Sequence, residues 1–162
     1  MSTVKPVTIS FASHFRLSIR DSSQTEEEEK YMFRVPYASA VGSIMYAMVC
    51  TRPDISQAVS VVSRYMDKPG KAHWSAVKWI LRYLKGTSKL GLLFSAQSSC
   101  TVIGYSDSDY ASDLDRRRSL TGYVFTLSEC AVSWKATLQS TVALSTTEAE
   151  YMALTEAAKE AI

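Results

Sequence analysis

Apolar positions recur along this chain with two different periods. In YASAVGSIMYAMVC, Val41, Ile44, Met45 and Met48 take the i, i+3, i+4, i+7 spacing of one helical face, which predicts a helix near 37–50. In TRPDISQAVSVVSRYM, Pro53 stands where a first helical residue tolerates it, and Ile55, Ala58, Val59, Val62 and Met66 fall on one side. A second helix is expected near 54–66, ended by DKPG. Between Lys71 and Lys85, Trp74, Val77, Leu81 and Leu84 make an apolar face, while Lys71, Lys78, Arg82 and Lys85 share another. That predicts a third helix near 71–85 with a basic edge.

After Gly86 the period shortens. LGLLFS, TVIGYSD, TGYVFTL and AVSWKAT are β-like runs separated by polar stretches, the last three predicting an antiparallel sheet. The small-polar stretch SAQSS, Ser95 to Ser99, is the expected boundary between the two regimes. A last helix opens at Ser145 with Glu148 three residues later, a capping box in which each side chain satisfies a backbone donor. Residues before Arg34 show no period and include the acidic run Glu26 to Glu29, which reads as extended and solvated. The organisation expected is a lead-in over 1–35, a helical region over 36–95 and a strand-rich region over 100–162. The fold class is α+β/α/β: a three-helix unit, then three antiparallel strands and one helix.

Composition narrows the chemistry. With 46% hydrophobic and 21% charged residues the chain has an ordinary globular balance, and a net charge of +2 with pI near 8.4 demands no nucleic-acid partner. Cys50, Cys100 and Cys130 lack the paired spacing of a zinc site and are expected as reduced thiols. His14 and His73 are too few and scattered to support a His-ligated metal centre or a Ser-His-Asp arrangement. The N-terminus has no sustained apolar run, so neither a secretory signal nor a membrane span is expected, and the location implied is intracellular, cytoplasm or nucleus.

The candidate chemistry rests on two carboxylates. Alternation places Ile103, Tyr105 and Asp107 on one side of the first strand, and Glu150 stands in helical register with Ala153, Leu154 and Ala157. Two carboxylates converging at a packing surface suit a hard divalent cation such as magnesium, and paired magnesium ions drive phosphodiester hydrolysis in nucleases. Spacing alone leaves the simpler roles open: an aspartate at a strand end serves as a turn residue, and a glutamate near a helix start favours the helix dipole. Asp109, Asp113 and Asp115 resemble a calcium loop but lack its glycine and terminal glutamate, and read as a solvated loop, with Asp109 a minor candidate for the site. Arg116, Arg117 and Arg118 are candidates to grip phosphates, or to be neutralised by their acidic neighbours. Lys78 and Arg82 on the basic edge offer either a nucleic-acid contact or a solvated face.

The blocks YASAVGSIMYAMVCTRPDISQAVSVVSRYM, HWSAVKWILRYLKGT, GYSDSDYASDLDRRRSLTGYVFTL and VALSTTEAEYMALTEAAKE resemble consecutive blocks of copia-type retrotransposon Pol polyproteins, in the same order. KPVTISFASHFRLS is more faintly similar, and the likeness is to plant elements. The resemblance implies the tail of a reverse transcriptase, thumb-like or connection-like, followed by the first part of a ribonuclease H, an enzyme that cuts RNA in RNA/DNA hybrids with four carboxylates and two magnesium ions. By position it assigns Asp107 and Glu150 to that site. The family's other two aspartates are expected beyond Ile162, so the implied chain is inactive alone. Its implied partners are an RNA/DNA hybrid or other nucleic acid and other polyprotein segments, with self-association through residues 101–106. A role as a non-catalytic binding or assembly module, or none in the host, is the alternative.

Overall fold

A computed structural model of the chain describes residues 4–94 and 101–162. The expected boundary at Ser95 to Ser99, and Cys100, lie outside the described residues. The chain divides into two units, Met1–Leu90 and Gly91–Ile162.

The first unit is helical: α1 (Glu26–Phe33), α2 (Tyr37–Thr51), α3 (Ser56–Val62) and α4 (Lys71–Gly86), with 3-10 turns at Ile19–Asp21, Pro53–Ile55 and Ser63–Tyr65. Helix α1 corrects the expectation of an extended lead-in. The Thr25 hydroxyl accepts from the Glu28 amide, and the four glutamates fill the first turn, where the N-terminal end of the helix dipole favours negative charge. What read as a solvated charge run is a helix start. The core is built from Tyr37, Val41 and Ile44 of α2, Ile55, Ala58, Val59 and Val62 around α3, and Ala76, Val77 and Ile80 of α4.

The faces differ from expectation in detail. On α4 the fully buried stripe is His73, Ala76, Val77 and Ile80, while Trp74, Leu81 and Leu84 pack only partly against the core. Tyr65 takes the buried place expected of Met66, because the helix tightens into a 3-10 turn at Ser63–Tyr65 and rotates the following residues. Met45 lies on the exposed side of α2, and Met48 packs at the rim of the core.

His73 is buried among this core and caps its own helix: its Nδ1 accepts from the Gly70 amide at 2.9 Å. Its Nε2 then carries the proton and donates to the Ser18 carbonyl at 3.1 Å, while the ring stacks on Tyr65 at 4.0 Å. A Cβ on Gly70 would collide with the Asp21 carbonyl oxygen, so glycine is required there by close approach.

The second unit is a three-stranded antiparallel meander, β1 (Val102–Asp109), β2 (Leu120–Leu127) and β3 (Cys130–Leu138), followed by α5 (Thr146–Ala161). Of the β-like run LGLLFS, Leu90 to Phe94 form no strand. Among the described residues β1 lies at an edge of the sheet, paired with β2 in register Asp107 to Gly122 and Tyr105 to Val124. A one-residue irregularity at Phe125/Thr126 shifts the β2–β3 ladder. Gly104 leaves room for the Phe125 ring, which a Cβ there would strike at 2.6 Å. These elements agree with the expected α+β class.

Candidate functional site

Helix α5 lies over β1 and β2 through a stripe of alanines, Ala149, Ala153 and Ala157, all buried. Small side chains let a helix approach a sheet closely, and Gln139 fixes the approach. Its Nε2 donates to the Ala149 carbonyl at 2.9 Å and to the Thr121 hydroxyl at 3.1 Å. Farther along, the Tyr123 hydroxyl donates to the Glu160 carboxylate at 3.2 Å, and Ser133 donates to its other oxygen at 2.8 Å. Burial and the bond to Glu160 together raise the Tyr123 phenol above its ordinary value.

These contacts decide which face of β1 meets the helix. Thr121 and Tyr123 point to α5, and directly opposite residues of an antiparallel pair share a face, so Ser108 and Ser106 of β1 point there too. Ile103, Tyr105 and Asp107 therefore turn to the reverse face. Asp107 is exposed, and one of its carboxylate oxygens accepts from the Ser108 amide at 2.9 Å.

Glu150 is not on the packing stripe. It sits about a hundred degrees around the helix from Ala149 and is exposed, as is Leu154. With Ser106, Thr146, Thr147, Tyr151 and Leu154 it lines an open cavity of about 490 Å³ on the β1 flank of α5. Glu150 thus shares that cavity with Ser106 of β1, the residue before Asp107, while Asp107 belongs to the face of β1 turned away from α5. Among the described residues no group of three or more His, Cys, Asp or Glu is gathered as a metal site.

Glu148 has the capping role read from sequence, with one change. The Ser145 hydroxyl accepts from the Glu148 amide at 3.1 Å, but the Glu148 carboxylate reaches past Ser145 to the Leu144 amide at 2.6 Å. It lines the opposite flank of α5, in a cavity of about 450 Å³ with Gln139, Met152 and Lys159.

The loop between β1 and β2 is tightly folded. The Asp113 amide donates to the Arg118 carbonyl, the Arg117 amide returns to the Asp113 carbonyl, and the Ala111 amide donates to the Ser119 hydroxyl. Ala111 at φ 50° and Arg117 at φ 58° take left-handed conformations that the short return requires. Asp113 is buried and accepts from the Asp115 amide, while Arg116 and Arg117 are exposed and Arg118 is half-buried.

In the helical unit the basic edge is largely engaged. Arg82 Nε donates to the Lys5 carbonyl at 2.8 Å and its guanidinium lies over the Trp79 ring. Lys85 donates to the Val4 carbonyl at 3.0 Å, and Lys71 pairs with Glu28 at 3.6 Å. Arg82 is therefore a strap for the N-terminal segment, and Lys78, exposed like Lys71 and Lys85, lies beside a cavity of about 420 Å³ that His14, Phe15 and Trp79 also line.

Sequence reading missed one polar cluster. Arg52 is buried at the end of α2, bonded to Asp54 and to the backbone and hydroxyl of Thr87, and Tyr83 donates to Asp54 at 2.7 Å. The signal available was the sequence TRPD, in which Pro53 holds an arginine and an aspartate two residues apart across a rigid turn.

The whole chain is 57% identical to a retrovirus-related Pol polyprotein from transposon TNT 1-94 of Nicotiana tabacum, and covers 12% of it. It is 35% identical over 160 residues to the corresponding polyprotein from transposon RE2 of Arabidopsis thaliana, covering 10% of it. A secreted RxLR effector protein 161 of Plasmopara viticola is 52% identical over 131 residues, which are 81% of this chain and 92% of that protein. The chain spans about a tenth of the length of the transposon polyproteins it matches. No family model matches, and no solved structure matches.

Proposed function

Because the chain belongs to the copia-type retrovirus-related Pol polyproteins of plant transposons, we propose that it joins the end of a reverse transcriptase to the start of a ribonuclease H. The ribonuclease H reading is carried by one observation. An antiparallel meander is followed by a helix that sets Glu150 beside Ser106 on the strand bearing Asp107. In the complete enzyme such carboxylates hold magnesium ions for cleavage of the RNA strand of an RNA/DNA hybrid.

The residues present do not suffice for that metal pair. Asp107 lies on the face of β1 turned away from α5 and Glu150 lies on α5, both exposed, with no third acidic or histidine ligand gathered among the described residues. A two-ion site needs carboxylates that converge on both ions. In this reading the 162-residue chain is catalytically silent on hybrid substrate and contributes two of the four carboxylates of the complete site. Magnesium-dependent hybrid cleavage, assayed for this chain alone and for a fusion that adds a ribonuclease H segment from a transposon polyprotein, tests it.

A second reading is favoured by the exposure of Arg116 and Arg117 in a rigid loop of the same unit. There the chain binds nucleic acid without cutting it, through phosphate contacts whose affinity falls steeply with salt. A binding titration at several salt concentrations separates this from the first.

A further inference from the structure

One face of α4 borders a cavity in place of the core. Ser75, Lys78, Trp79 and Arg82 follow the i, i+3, i+4, i+7 spacing, on the side of the helix opposite the buried stripe of His73, Ala76, Val77 and Ile80. His14 and Phe15 of the N-terminal segment line it as well, and the space enclosed is about 420 Å³, the size of a small-ligand pocket. Its walls are held by three hydrogen bonds from α4 to backbone carbonyls of that segment: Trp79 Nε1 to Ile9 at 3.0 Å, Arg82 Nε to Lys5 at 2.8 Å and Lys85 Nζ to Val4 at 3.0 Å. The rings brace one another too, His14 on Phe15 at 4.3 Å and edge-on to Trp79 at 5.5 Å. Charge here has one sign. Lys78 and Arg82 stand one turn apart, where like charges repel, and among the described residues no carboxylate lines the cavity. Among those residues Lys78 has no hydrogen bond or ion pair, and Arg82 bonds through Nε alone, which leaves its Nη groups as donors.

We infer that this cavity binds a nucleotide, its base against His14 and Trp79 and its phosphate on Lys78 and Arg82. Two observations select that chemistry among anions. An inorganic anion would use the two cations and leave the three rings and most of the volume without a role, whereas a base stacks on aromatic side chains while its phosphate meets the charge. Ser75 distinguishes a base from other aromatic phosphates. Its hydroxyl donates to the Lys71 carbonyl at 3.0 Å, so toward the cavity it offers lone pairs, which suit the amino edge of a base such as adenine and find no donor on the ring of a phosphotyrosine. A free mononucleotide and one residue of a single strand present the same chemistry. The site lies in the helical unit, so it stands independently of Asp107, Glu150, Arg116 and Arg117 in the other unit.

Calorimetric titration of the full chain with adenosine 5′-monophosphate tests this, against adenosine, inorganic phosphate and phosphotyrosine. The mononucleotide should bind at least about tenfold more tightly than each of the three, the worth of one hydrogen bond to a charged group or one stacked base. Lys78→Gln should weaken the mononucleotide about tenfold and leave adenosine unchanged, while His14→Ala should weaken both. Lys78 and His14 are exposed, so both variants should keep the native unfolding midpoint, which separates a lost ligand contact from lost folding. A short single-stranded oligoadenylate that competes with the mononucleotide and binds more tightly assigns the site to a strand, and one that binds no better assigns it to the free nucleotide. The inference is overturned if millimolar mononucleotide gives no binding, or if phosphotyrosine or inorganic phosphate binds as well as the mononucleotide does. Mononucleotide binding indifferent to Lys78→Gln overturns it equally.

Discussion

The guanidinium of Arg52 forks onto the carboxylate of Asp54, Nε to Oδ1 at 2.9 Å and Nη2 to Oδ2 at 2.7 Å. The same nitrogen reaches the Thr87 hydroxyl at 2.6 Å, so one buried cation ties the end of α2 to the end of α4. Removing it leaves several acceptors unpartnered. Arg52→Leu should cost the helical unit about 1.5–3 kcal/mol, the range for hydrogen bonds to a charged group, measured by urea unfolding. A loss of a few tenths would show the cluster to be incidental.

The cluster also sets a pH dependence. Burial alone would raise the Asp54 carboxyl, but hydrogen bonds from Arg52 and Tyr83 outweigh it and leave it below its ordinary value. A carboxyl depressed in the folded state adds stability above its unfolded value and loses it as pH falls through the folded one. The bond to Asp54, then burial, raises the Tyr83 phenol, whose contribution is full below its unfolded value and lost as pH rises through the folded one. Stability of the Asp54→Asn chain should therefore fall less than that of the native chain on acidification below about pH 4. Parallel acid curves for the two would contradict this.

Gly70→Ala tests the close approach beside His73. The added methyl has no room against the Asp21 carbonyl, and the Gly70 amide must keep its bond to His73 Nδ1. A loss of about 1–3 kcal/mol is expected, the usual cost of overpacking, read from thermal unfolding. His73→Leu should be destabilising as well, because it orphans the buried Gly70 amide.

These tests concern features of unequal legibility. The three core helices, the order of the strands and the cap at Ser145 follow from period and capping residues, which act locally. Helix α1 escaped because an acidic run has the same composition whether it is solvated coil or a helix N-terminus, and Thr25 alone distinguishes them. Alternation correctly grouped Ile103, Tyr105 and Asp107, but it names no preferred face. The choice was made by Gln139 and Tyr123, which reach α5 from distant positions. For Glu150 the helical wheel was ambiguous, since Ala153 and Ala157 pack equally well with Ala149 as neighbour, and the structure takes that stripe. The engagement of Arg82 by Lys5 joins residues 77 apart in sequence, beyond any local pattern.

Basic residues should separate in binding experiments according to what they already hold. Arg116→Ala and Arg117→Ala should each weaken hybrid binding and lower the salt slope by about one, as should Lys78→Ala, without affecting stability. Arg82→Ala should act mainly by loosening the N-terminal segment, seen as faster amide exchange near Lys5 and Ile9. Equal effects of Lys78→Ala and Arg82→Ala on binding, with no change in exchange, would refute the distinction.

The most direct measurement is cleavage of a labelled RNA/DNA hybrid in magnesium, comparing this chain with one extended at its C-terminus by a ribonuclease H segment from a transposon polyprotein. The chain alone should cleave no faster than a protein-free blank. The extended chain should cleave, and lose that activity with Asp107→Asn or Glu150→Gln while remaining folded. Magnesium-dependent cleavage by the 162-residue chain itself, or an extended chain indifferent to both substitutions, would contradict the assignment of Asp107 and Glu150 to a shared site.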